Sequence, residues 1–167
     1  MEIKSPSDIL KMAILMEKRG KAFYTQVASQ TEDEDVRRVF QFMADEEQMH
    51  VEFLSKQFSH YEKHHSFDKN DAALQTDESA VNEILSQGMK TKINAAGFEA
   101  AAISAAIDFE TRAIEVYSKR AGEATDPNEK EMFEWLAEWE RGHHKVLNEL
   151  NQELMEKVWN DNQFWPF

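Results

Sequence analysis

Apolar positions recur along this chain in alternating steps of three and four, the spacing that sets side chains on one face of an α-helix. One stripe reads Leu10, Ala13, Glu17, Gly20, Tyr24, Val27, and a second Val36, Phe40, Met43, Glu47, His50, Leu54. A third reads Ile103, Ala106, Glu110, Ala113, Tyr117, and a fourth Phe133, Leu136, Glu140, His143, Leu147, Leu150, Leu154. Four helices are therefore expected. Ser5, Pro6 and Asp8 form a capping arrangement at the start of the first, Thr31 with Glu34 caps the second, and Asp126, Pro127 and Glu129 open the fourth. The second helix is predicted to end near His60, with the His-rich stretch EKHHSFDKND after it as solvated loop, and the third to run from about Ala95 to Ala121. Residues 62–93 read as a long connection carrying a short helix from Glu78 to Gln87, ended by Gly88. Residues 1–157 form the expected domain, and 158–167, VWNDNQFWPF, an irregular aromatic tail.

Each apolar stripe carries a carboxylate at its middle, and two of them carry a histidine one turn later. Burying an unpaired charge costs several kcal/mol, so something must compensate these groups. Shifting the chain by 93 residues lays Leu10–Leu54 on Ile103–Leu147 without a gap. Glu17 then meets Glu110, Tyr24 meets Tyr117, Glu47 meets Glu140 and His50 meets His143. Each half is an αα-hairpin, and two hairpins that bury their stripes together make an all-α four-helix bundle joined by a long crossover. Its centre would hold Glu17, Glu47, Glu110, Glu140, His50 and His143 with no Lys or Arg on the inner stripes. Two divalent cations would neutralise four carboxylates, and a mixed imidazole and carboxylate set suits iron, manganese or zinc over calcium or magnesium. Gly20 and Ala113 are small and lie one turn from the stripe glutamates, either to admit a ligand or to let helices approach. Tyr24 and Tyr117 are placed to hydrogen-bond the carboxylates from outside the ligand set, or are core tyrosines.

Composition narrows the chemistry. With no Cys among 167 residues, thiolate zinc, iron–sulfur and cysteine-nucleophile sites are excluded, leaving His and carboxylate as strong metal ligands. A net charge of -13 argues against nucleic acid and anionic membrane as partners. No signal-peptide pattern and no long uncharged apolar run occur, so a cytoplasmic protein is expected.

The strings EKRGKAFY (17–24), ADEEQMH (44–50), FETRAIEVY (109–117) and LAEWERGHH (136–144) resemble the four motifs of the ferritin-like di-iron carboxylate proteins, most closely the erythrin domain of the rubrerythrin family. That class takes one Glu from each of two helices and Glu-x-x-His from each of the other two. The resemblance covers most of residues 6–155 and implies a ferritin-like bundle with two iron ions. It implies that Glu47 and Glu140 bridge the metals, that Glu17 and Glu110 are terminal carboxylates, and that His50 and His143 each bind one metal. It further implies a non-haem oxidoreductase that reduces hydrogen peroxide or dioxygen. Two departures stand out. Without Cys there is no rubredoxin-like centre, so an external electron-donor protein is expected. The extra glutamate of the family's peroxidases is missing too: Ala113 follows Glu110 by one turn, and Glu115 is expected to face away.

Other functions fit the same residues. A ferroxidase and iron-storage protein of ferritin type would assemble into a cage, a dimanganese catalase-like centre would differ in its metal, and a metal-free interaction module would use the ligands as a polar core. The long connection also suits a homodimer that swaps one hairpin.

Overall fold

The computed structural model describes residues 5–69 and 97–161, with side chains to Glu156. Four helices occur among the described residues: α1 (Pro6–Gln30), α2 (Glu34–His64), α3 (Phe98–Glu123) and α4 (Pro127–Asp161). α1 buries Leu10, Ala13, Glu17, Gly20, Tyr24 and Val27, the stripe read from its periodicity, together with Ala28. Its start is also as expected, since Ser5 Oγ accepts the Asp8 N–H at 3.2 Å.

Several boundaries differ from the sequence expectation, each for a local reason. α2 is capped by Asp33, whose Oδ1 accepts the N–H groups of Asp35 and Val36 at 2.9 and 3.0 Å. Thr31 instead closes α1 through its own N–H to the Val27 carbonyl. A carboxylate at the N-terminal end of a helix also meets the positive pole of the helix dipole, which favours Asp33 over Thr31 as cap. α2 continues to His64, so Glu62–His64 is helix rather than loop. His65 then ends it in the left-handed conformation (φ 53°), with its N–H on the Tyr61 carbonyl and Lys63 and His64 at the negative helix end. α3 begins at Phe98 behind Gly97, and α4 remains helical to Asp161, past the expected break at Val158. The expected short helix at 78–87 and the residues beyond Asp161 lie outside the described residues.

Contacts at the two ends give the topology. At one end Thr31 Oγ1 donates to Glu99 at 2.8 Å, so α3 starts beside the α1–α2 turn. At the other, Asn128 Nδ2 donates to the Phe67 carbonyl at 3.0 Å, which places the α3–α4 turn beside the end of α2. α2 and α3 therefore run parallel, and residues 69 and 97 sit at opposite ends, as a bundle with a crossover requires. Two apolar clusters fill the bundle on either side of a polar middle. One gathers Phe40, Met43, Ile103, Leu147 and Leu150 around Tyr24, and the other Leu10, Leu54, Phe133 and Leu136 around Tyr117. No described helix is long and apolar enough to cross a membrane.

Candidate metal centre

The polar middle is where the six stripe residues meet. Glu17, Glu47, His50, Glu110, Glu140 and His143 are each at most 3 % exposed. Their donor atoms form two groups, Glu17, Glu47, His50 and Glu140 on one side and Glu47, Glu110, Glu140 and His143 on the other, with atoms within 4.8 Å of one another in each. Glu47 and Glu140 belong to both groups. A carboxylate has two oxygens and can serve two cations, so this sharing is the geometry of a bridged pair.

Both histidines turn Nδ1 inward. His50 Nδ1 lies 3.1 Å from Glu17 Oε2 and 3.4 Å from Glu140 Oε1; His143 Nδ1 lies 3.2 Å from Glu140 Oε2 and 3.5 Å from Glu110 Oε1. Despite these approaches, both oxygens of Glu47 and of Glu140, Glu110 Oε2 and His143 Nδ1 are buried without a hydrogen-bond partner. Buried polar atoms are normally satisfied. A set of orphaned acceptors around one point, with no Lys or Arg among the described residues bonded to any of the six, is what cations would complete, so the residues present fit two metal ions.

Proton affinities record the same strain. Burial, and then the charges of neighbouring carboxylates, push Glu47 and Glu140 well above the ordinary carboxylate range. Burial pushes Glu17 and Glu110 the same way but is outweighed. Close polar contacts with Glu47, His50 and Tyr117 and the His50 charge bring Glu17 down to about 2, and His143 chiefly holds Glu110 below its usual value. Burial works against the charged form of His143, yet Glu110, Glu140 and Glu46 raise it well above 6.5. Bound cations would displace the protons held at Glu47, Glu140 and His143.

The tyrosines cross between hairpins. Tyr24 Oη donates to Glu110 Oε1 and Tyr117 Oη donates to Glu17 Oε1, so each helix pair steadies the first-helix glutamate of the other. Gly20 is small for close approach: a Cβ there would lie 2.9 Å from Phe109 Cε1 and 3.1 Å from Glu47 Oε1. Glu115 is exposed, and Ala113 is buried. His64 and His65 are exposed as well, away from the centre.

One residue at the centre escaped the sequence reading. Glu46 is 3 % exposed and accepts from His143 Nε2 at 2.8 Å and from Trp139 Nε1 at 2.9 Å. Its signal was present, because Val39, Met43, Glu46 and His50 also step by three and four. It lies one residue off the stripe that carries Glu47 and His50.

Among known proteins, no curated sequence and no solved structure matches this chain significantly. A family model does: the one described as Rubrerythrin matches residues 8–151, a span that contains all four helix segments bearing the buried glutamates and histidines.

Proposed function

Because the chain belongs to the rubrerythrin family of di-iron carboxylate proteins, we propose that it is a non-haem di-iron oxidoreductase reducing hydrogen peroxide or dioxygen with electrons from an external donor. The observation that carries this reading is the sharing of Glu47 and Glu140 between two buried donor groups, each completed by one histidine and one further glutamate. Glu17 and His50 would hold one iron, Glu110 and His143 the other, and the two shared carboxylates both. Ferrous iron held by the two groups would supply one electron per ion, the two that reduction of hydrogen peroxide to two waters requires together with two protons.

The chain's own residues prepare that chemistry in three ways. The apolar clusters above and below the centre keep bulk water out, which strengthens every electrostatic contact inside. Tyr24 and Tyr117 hold the terminal carboxylates in place and keep their own protons, since burial and the surrounding carboxylates push both phenols well above 10. The oxygens of Glu47 and Glu140 face both donor groups and have no hydrogen-bond partner among the described residues, so cations would meet them without displacing another bond.

The 167 residues hold no cysteine for a thiolate iron centre, so the reductant is assigned to a donor outside them. Met12 and Val116, 48 % and 47 % exposed, flank an apolar groove between α1 and α3, a surface suited to a second copy in a homodimer. Native mass checks that assembly. The function is tested by anaerobic loading with ferrous iron followed by hydrogen peroxide. Near-ultraviolet ferric absorption should grow with one peroxide consumed per two irons, and an unchanged spectrum would overturn the proposal.

A further inference from the structure

The two donor groups are related by the 93-residue shift, yet the side chains behind their histidines are not. His143 Nε2 faces Glu46 Oε2 at 2.8 Å. A carboxylate oxygen that also receives the Trp139 N–H acts as acceptor, so the ring proton that His143 would keep on binding a cation sits on Nε2, and Nδ1 is the nitrogen that faces the centre. Shifted by 93 residues, Glu46 becomes Trp139. The position that would serve His50 is therefore an indole, which can only donate. His50 Nε2 has no hydrogen-bond partner among the described residues, and its ring lies edge-to-face against Trp139 at 5.0 Å and Trp135 at 5.9 Å.

A carboxylate behind a ligating histidine sets the tautomer, holds the ring at its working angle and makes the ligating nitrogen a stronger base; losing such a partner typically lowers metal affinity 10–100-fold. Resting on the metal-centre reading above, we propose that Glu46 is a positioning residue that makes the two metal subsites unequal, so that the subsite of His143 fills before that of His50. Trp139 sustains the difference twice over. It donates to Glu46, fixing the carboxylate toward His143, and it occupies the place from which a matching acceptor would reach His50.

The test follows where each Co²⁺ goes when the full-length, metal-free protein is titrated anaerobically. Paramagnetic NMR resolves the ring N–H of a histidine once its own subsite is occupied, and His143→Ala assigns the two signals. In the wild type the His143 signal should grow over the first equivalent and the His50 signal over the second. In Glu46→Gln both should grow together from the first additions, with total affinity for two ions lowered about 10–100-fold. Simultaneous growth in the wild type, or an unchanged filling order in Glu46→Gln, would overturn the inference. Should Glu46→Gln fail to fold, the wild-type filling order decides alone. No Co²⁺ uptake by the wild type would instead defeat the underlying metal-centre reading.

Discussion

At the turn of the α1–α2 hairpin, Val27 and Val36 are both buried in an apolar cluster. At the same register of the α3–α4 hairpin, 93 residues on, stand Arg120 and Glu129, and Arg120 Nε and Nη2 both donate to Glu129 Oε1, at 2.8 and 2.5 Å. Two hairpins of one shape thus close with opposite chemistry. Toward the middle of the bundle the differences vanish: Glu, Tyr, Glu and His recur at matching places in both. Closing a hairpin requires only that volume be filled and polar atoms satisfied, which an apolar pair and a bonded ion pair both achieve. Meeting at one point with donor atoms within 4.8 Å leaves no such freedom. Between these extremes lie Glu46 and Trp139, close enough to touch the two histidines and far enough out to differ.

The largest way to break the comparison is to remove ligands by hairpin. Glu47→Ala or Glu140→Ala, each taking an oxygen pair from both groups, should lower bound metal from two ions to fewer than one per chain by elemental analysis. Glu17→Ala should leave about one, held on the His143 side, because Glu17 belongs to a single group. Equal losses from Glu17→Ala and Glu47→Ala would show that the sharing seen here does not govern binding.

Grafting one turn onto the other comes next. Glu129→Ala leaves Arg120, whose side chain is 22 % exposed, with only the 4.0 Å approach of Glu123, and should cost about 3 kcal/mol in denaturant unfolding. The double change Arg120→Val with Glu129→Val, which copies the first hairpin, should be neutral or stabilising by roughly 1–4 kcal/mol.

Acid and base sharpen the contrast at the centre, where Glu47 on one hairpin and Glu140 and His143 on the other hold protons above their ordinary values. Their protonated forms are those that favour the fold. That contribution is complete below the ordinary values and is lost as pH rises through the raised ones. Glu17 and Glu110, held low, act in the opposite sense and withdraw stability only as pH falls below about 4.5. The melting temperature of the metal-free protein should therefore fall as pH rises above the ordinary carboxylate and imidazole values of 4.5 and 6.5, while that of the metal-loaded form, its ligands already deprotonated, should not. A gap between the two that stays constant with pH would contradict the proton displacement argued above.

The smallest effect concerns the small residues. Gly20→Ala forces Phe109 or the Glu47 carboxylate to move and should cost about 1–3 kcal/mol together with metal affinity. Ala113→Gly, at the matching position, should cost about 1 kcal/mol from helix propensity and leave affinity unchanged.

How much of this was readable in the chain depends on how local each interaction is. Glu17, Glu47, Glu110 and Glu140 could be picked out because a lone carboxylate interrupts each apolar stripe, and the 93-residue repeat brought the four stripes to one height. The buried faces of α1 and α3 follow those stripes residue by residue. Helix ends were less accessible. Asp33 and Thr31 are both competent caps, and which one bonds the first turn of α2 depends on the path of the chain out of α1. The run to His64 likewise depends on Tyr61 packing on Phe67 at 5.0 Å, beyond the helix itself.

By itself, then, the sequence determined four amphipathic helices, their pairing into repeated hairpins and the residues on their inner faces, because periods of three and four and capping groups act over a single turn. Only the tertiary structure decided who meets whom across the bundle. Tyr24 reaches Glu110 and Tyr117 reaches Glu17, each in the other hairpin, and Glu46 serves His143 rather than His50, four residues along its own helix. Those partners are set by the rotation and height of one packed helix against another. That geometry comes from the whole core at once, and no stripe read along a single helix contains it.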